Sequence, residues 1–279
     1  MKYKLTDNTI DFFGKILYQI ECIEAFENIK AGDTGGYIEH EKNLSQYGKA
    51  WVYDKAKVYG NARVGGDAMV YDKAKVYGNA IVSGDAMVYN NAEVYGKAWV
   101  HDNAKVCGNA KVCDDAKVYG NAIVGGDAKV YYNAKVYRNA KVCGKAWVYY
   151  NAKVYDNAIV YDNTIVCDNA IVCGDAKVYG NAIVSGDAEV SGDAEVSGNA
   201  DYIVFKNSFS SGRYFTYTLS NKMWRVGCFY GTSEELIKKA YADSKEKGDC
   251  YKLYVELVEK LEFKFRKFLN SPFLVHKSV

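Results

Sequence analysis

A chain of 279 residues whose only proline is Pro272 has to turn by other means, since average usage would place about fourteen prolines in it. Histidine is nearly as scarce. His40, His101 and His276 are too few and too far apart for a three-histidine zinc site. The eight cysteines contain no Cys-x-x-Cys spacing and read as free thiols, not as a disulfide or metal framework, so no metal and no cofactor is expected. Thr164 is the sole threonine among the repeats described below, which excludes the flat threonine array of an ice-binding face. There is no apolar run of membrane-spanning length and no basic head with an apolar stretch at the start, so the expected location is the cytoplasm. A formal charge of +2 gives no general attraction to nucleic acid and excludes an acidic mimic of DNA. With 49% apolar and 25% charged residues, disorder is excluded as well.

What the chain does have is a period. From Ala50 to Ala200 a small residue recurs at every sixth position, with Thr164 the one exception in 26 hexads, and valine follows two places later from Val52 to Val196. A helix of 3.6 residues per turn would carry such a stripe around its cylinder, whereas residues two apart share one face of a strand. Each hexad therefore reads as a short strand, Ala-x-Val, and a corner of Gly, Asn or Asp, residues that tolerate positive φ. Three strands close a triangular coil of eighteen residues, and segments 50–67 and 68–85 agree at 15 of 18 places. Nearly nine coils make a prism roughly 40 Å long, cored by valines worth about 1.5 kcal/mol each.

This aliphatic, corner, small-residue pattern resembles the hexapeptide-repeat (LpxA-like) superfamily over about 150 residues. The resemblance implies a mainly β fold, a left-handed parallel β-helix; the handedness comes from the resemblance alone, since parallel crossovers are otherwise right-handed. The lead-in "KAGDTGGYIEHEKNLSQYG" is similar to that of bacterial and phage hexapeptide proteins named as transferases. Residues 1–48 are read as an N-terminal β cap with a turn at Gly35 and Gly36, 49–200 as the β-helix, and 201–279 as a C-terminal α+β domain. In the last, "DYIVFKN", "GRYFTYTLS" and "MWRVGCFYG" are strands, with "SNK" a hairpin turn. Thr232 and Glu235 open a helix as a capping box, and Tyr254, Leu257, Val258, Leu261, Phe265 and Phe268 form the apolar stripe of a second. Acidic residues between Asp156 and Glu195 face a basic final segment of 44 residues, a charge pairing suited to docking.

With Ala and Val sealed inside, activity belongs to the outward positions and the ends. Trp51, Met69 and Met87 stack on one face as an apolar interface for the N-terminal segment or a second subunit. Ile159, Ile165, Ile171 and Ile183 form a second apolar group near the C-terminal domain. Lys117, Lys135 and Lys153 stack beside Tyr119, Tyr137 and Tyr155, and with Lys111 and Lys129 they form a basic, aromatic region suited to an anionic protein or ribonucleoprotein. The resemblance also implies acyltransferase activity, for which His101 is the one histidine on the helix, but no insertion between coils shapes a pocket around it. The reading is a non-enzymatic β-helical binding protein of the bacterial cytoplasm, forming homo-oligomers, and in its narrowest form a phage-encoded inhibitor that occludes a host defence system such as a CRISPR nuclease.

Overall fold

The computed structural model describes residues 1–269, with side chains through residue 264. Each hexad contributes a two-residue strand, and these stack into three parallel faces. Face I runs from Trp51–Val52 to Glu195–Val196 in nine strands, and face III from Arg63–Val64 to Glu189–Val190 in eight. Face II runs from Lys57–Val58 to Ile183–Val184 and is extended at one edge by Tyr3–Phe12, Lys15–Cys22 and Thr34–Ile38. Residues eighteen apart pair directly, as Met69 with Met87 and Lys117 with Lys135. Every repeat alanine and valine from Ala50 to Val196 is buried, whereas Ala200, where the period ends, is exposed. Thr164 replaces alanine without an orphan polar atom, because its hydroxyl donates to the Tyr161 carbonyl at 2.5 Å.

The corners are made two residues after each valine, where the backbone takes positive φ. Gly, Asp and Asn fill nearly all of these places. Tyr132, Arg138 and Tyr150 are the exceptions, at φ of 55°, 60° and 57°, and each bears a left-handed cost of about 1–2 kcal/mol.

The ladder is polar, and the two ends are closed in opposite ways. The N–H groups that flank each repeat valine donate toward the following coil, as Trp51 N to Ala68 O at 3.0 Å and Tyr53 N to Val70 O at 2.8 Å. The first coil is thus left with free alanine and valine carbonyls and the last with free N–H groups at these places. At the first coil the N-terminal segment supplies donors: Tyr37 N to Ala56 O (2.9 Å), Asn43 Nδ2 to Ala62 O (2.8 Å) and Lys2 Nζ to Ala50 O (2.8 Å). At the last coil the chain supplies acceptors, with Ile183 N donating to Asn199 Oδ1 (2.8 Å), Glu189 N to Thr216 Oγ1 (2.9 Å) and Glu195 N to Ser220 Oγ (2.8 Å). Both edges that would otherwise template aggregation are thus occupied.

Gly35 and Gly36 do not form the expected turn. They lie buried inside the Thr34–Ile38 strand, where a Cβ on Gly35 would sit 2.5 Å from the Val52 carbonyl and one on Gly36 2.7 Å from that of Ala56. Their role is close approach of the cap to the first coil.

After the solenoid, Tyr202–Lys206, Tyr214–Thr218, Met223–Val226 and Phe229–Gly231 form an antiparallel sheet in sequential order. The "SNK" turn falls between the second and third of these, but "MWRVGCFYG" is two strands, broken at Gly227 with φ of 58°. Helix α1 (Ser233–Asp243) is capped by Thr232 and Glu235 as expected, and α2 spans Lys245–Leu269. Of the expected α2 stripe, Val258 is buried, Tyr254 and Leu261 are half-buried, with the Tyr254 ring 4.7 Å from that of Phe205, and Leu257 is exposed. Tyr251, whose ring meets Phe215 at 4.8 Å, and Val255 are buried alongside. The side chains of Phe265 and Phe268, like Pro272 and His276, lie outside the described residues. Glu189 and Asp193 of the last coils are met by Arg225 (2.7 Å) and Asn221 (2.9 Å) from the sheet, not by cations of the final 44 residues, several of which also lie outside the described residues.

Candidate functional site

Because the period fixes every inward place, face III can be read as three outward columns. The middle column runs Trp99, Lys117, Lys135, Lys153 on consecutive rungs, with Lys117 Nζ 5.5 Å from the Trp99 ring centroid. Among the described residues, none of these three lysines has a carboxylate within ion-pair distance. At some other rungs the same residue type is neutralised: Glu93 meets Lys75 at 3.1 Å and Lys111 at 3.5 Å on face II, and Glu195 meets Lys177 at 3.0 Å on face I. Single lysines such as Lys57, Lys105, Lys129 and Lys141 also lack an ion pair among the described residues; what sets face III apart is three of them on consecutive rungs. Burial alone would raise the Glu93 carboxyl, but the two lysines bring it below its usual value.

Beside the lysines, His101, Tyr119, Tyr137 and Tyr155 stack nearly parallel with centroids 5.0, 4.9 and 4.9 Å apart. Burial between neighbouring rings raises the phenols of Tyr119 and Tyr137. Six of the eight residues singled out as a basic, aromatic region therefore share one face. Lys111 and Lys129 do not. They lie around the corner on face II, where Lys111 is paired with Glu93 and Lys129 sits 4.6 Å over the Trp147 ring.

The third column, at the corner joining faces II and III, is one that periodicity alone did not single out. Tyr132 and Tyr150 stack there at 5.0 Å and 13°, and the adjacent Tyr131 and Tyr149 stack at 5.0 Å. The available signal was the doubled tyrosine at 131–132 and 149–150, where all other hexads but the one with Arg138 place Gly, Asp or Asn second.

His101 has an orienting partner, since its Nδ1 lies 3.1 Å from Asp102 Oδ1. Hydrogen bonds from His101 and from the Gly120 N–H hold the Asp102 carboxyl below its usual value. The ring is pressed between Tyr119 and, at a tilt, Trp99. The neighbouring depression, about 400 Å³, is lined by Trp99, Lys97, Asp115, Lys117, Asn133 and Lys135, does not include His101 and is open to solvent. A base can be oriented here, but nothing encloses a reacting carbonyl.

Of the apolar candidates, Trp51, Met69 and Met87 do share face I, but Trp51 is covered by Phe26 (5.5 Å) and Tyr3 (6.1 Å) of the N-terminal segment. The isoleucine group is not a patch. Successive hexads turn a corner, so Ile159 faces out on face I, Ile171 on face III, and only Ile165 and Ile183 are neighbours, on face II. All eight cysteines are free, and burial raises the thiols of Cys113, Cys143, Cys167 and Cys173, which disfavours the thiolate a metal or nucleophile needs. No group of three or more His, Cys, Asp or Glu that could hold a metal occurs among the described residues. No described helix is long and apolar enough to cross a membrane.

The "YdcK Beta solenoid repeat" family model matches residues 74–90 and 152–168. A curated relative, named "Uncharacterized acetyltransferase YdcK" from Escherichia coli (strain K12), is 36% identical over 61 residues, and the match covers 19% of this chain and 19% of that protein. The chain thus spans about a fifth of the length of this relative. A solved structure of Francisella novicida UDP-N-acetylglucosamine acyltransferase aligns at 14% identity and a TM-score of 0.30, over 56% of this chain and 66% of the other, too loosely to carry a functional argument. With its unbroken hexads, three-faced coils and solenoid-repeat matches, the chain folds as a hexapeptide-repeat parallel β-helix and is similar to the YdcK β-solenoid repeat proteins.

Proposed function

We propose that the chain is a non-enzymatic binding rod that presents face III to an anionic macromolecule, a protein or a ribonucleoprotein. The observation that carries this reading is the unneutralised lysine row. Three cations held one coil apart, about 5 Å, repel one another, and the same lattice supplies glutamates to other lysines. An anionic partner removes that repulsion and releases counterions. The rod acts in this reading as a homo-oligomer. A narrower form, a phage-encoded inhibitor that occludes a host defence nuclease, draws its support from the lead-in resemblance and from the fit of a lysine and tyrosine face to a guide RNA.

The second reading is acetyl transfer. It is favoured by the oriented His101–Asp102 pair and by the name of the curated relative, and disfavoured by the absence of an enclosing pocket at His101. Two assays on wild type and His101→Ala separate the readings: binding of labelled heparin as a generic polyanion, and acetyl-CoA consumption. The binding reading predicts salt-sensitive heparin binding that survives His101→Ala, with no turnover in either protein. Turnover abolished by His101→Ala, or no heparin binding at low salt, overturns it.

A further inference from the structure

We propose that the partner of face III is a single-stranded nucleic acid, with bases stacked on Tyr132 and Tyr150 and phosphates following Lys117, Lys135 and Lys153. This rests on the reading of face III as an anion-binding surface and adds what the anion is.

The heptapeptide Tyr-Tyr-Asn-Ala-Lys-Val-Tyr occurs twice, at 131–137 and 149–155, eighteen residues apart. One copy therefore lies directly on the other, with Lys135 paired to Lys153. Within each copy the second tyrosine holds the corner and the lysine follows three residues later on face III, so an aromatic ring and a cation stand side by side on each coil.

The corner tyrosines are not explained by folding. The corresponding place in other coils is held by Gly60, Gly78, Gly96 and Gly186, or by Asp114 and Asp168, all with positive φ. Tyrosine is strained there, and neither ring fills the core, since Tyr132 and Tyr150 remain 45% and 46% exposed. The two rings lie nearly parallel with centroids 5.0 Å apart, about the spacing of successive coils, and both remain nearly half-exposed. Trp147, edge-on to Tyr131 at 6.3 Å and 39% exposed, widens the platform.

Asp115 lines the depression beside Lys117 and Lys135 without closing an ion pair to either, and the two aspartates in the corner column itself are hydrogen-bonded to backbone. Asp114 accepts from the Tyr132 N–H at 3.2 Å and Asp168 from the Gly186 N–H at 3.1 Å, so they bracket the tyrosine pair above and below without pairing to the lysines. An acidic peptide would satisfy the lysines but offers no planar group for the rings, and a duplex keeps its bases inside. Half-exposed aromatic rings beside a row of cations, both advancing one coil at a time, fit an unpaired strand.

The test measures anisotropy of a labelled ten-nucleotide oligouridine and of labelled heparin against wild type and the Tyr132→Gly/Tyr150→Gly double variant. Glycine is what the fold itself uses at this corner, so thermal melting of the variant should match wild type, which the same preparation checks. The expected result is a loss of oligouridine affinity of about tenfold or more, with heparin affinity unchanged. If the variant binds oligouridine as wild type does, the stacking proposal is overturned while the basic face stands. If wild type binds neither probe, the proposed function falls with it.

Discussion

Two lysine columns on one lattice make an internal control. On face II, Lys75, Glu93 and Lys111 alternate in sign on successive rungs and close two ion pairs; on face III, Lys117, Lys135 and Lys153 occupy the same kind of rung with the same backbone pairing and have no carboxylate within ion-pair distance among the described residues. The inward residues are the same alanines and valines in both. The alanine and valine core therefore does not dictate the outward choice, and the run of three like charges on face III is what the proposed partner surface rests on.

Tyrosine columns flank the lysines on both faces, and they give the largest expected effect. Burial raises the phenols of Tyr59, Tyr131 and Tyr149 to about 12. Groups whose folded pKa exceeds the unfolded value of about 10 contribute stability that is complete below that pH and is lost as pH rises through the folded value. Unfolding free energy should hold to about pH 10 and fall steeply toward 12, with the phenolate absorbance of the folded protein appearing late. Phenolate appearing fully near pH 10 in folded protein would show that the stacks are not desolvated.

Lys2 sharpens the contrast, since among the described residues it has no ion pair and feels Asp67 only as a weaker influence than its own burial. It is buried against the first-coil carbonyls, and burial lowers its pKa to about 8. Between that value and its unfolded pKa of about 10.4 the unfolded chain binds more protons, so stability contributed at this site rises with pH. The expected difference between wild type and Lys2→Met, read from pH 8 to about 9.5 to stay below the tyrosine transition, is about 1 kcal/mol in favour of wild type at the higher pH. A pH-independent difference would contradict the buried-cation account.

The smallest effect is the most specific. Lys135→Glu rebuilds the face II alternation on face III and should stabilise the fold by at most about 1 kcal/mol at low salt, an increment that vanishes in high salt. Denaturant melts at two ionic strengths check it. A destabilised Lys135→Glu would mean that the row is not repulsive.

Most of the architecture was legible because the hexad constrains backbone and core together: an inward Ala and Val and a positive-φ corner leave a three-faced coil, with only its hand taken from the resemblance. The columns on face III followed from counting by eighteen. What was not legible depended on partners outside the period. Gly35 and Gly36 look like turn residues until Val52 and Ala56 are placed against them, and the burial of Tyr251 and Val255 in place of Leu257 depends on the sheet residues, such as Phe215, that α2 meets. The four isoleucines were grouped by nearness in sequence, which a coil that turns every six residues scatters. Tyr132 and Tyr150 escaped notice because a hydrophobic pattern says nothing about a residue that is strained and outward.

The central claim is that the face III lysines serve a partner and the face II lysines serve the fold. The direct measurement compares heparin binding by Lys117→Gln/Lys135→Gln/Lys153→Gln with binding by Lys75→Gln/Lys111→Gln at low salt. At about 1 kcal/mol per phosphate-contacting lysine, the triple variant should lose about 100-fold in affinity while the double variant stays within a few-fold of wild type. Equal losses in the two variants would contradict the account, because binding would then follow total charge and not the face that carries it.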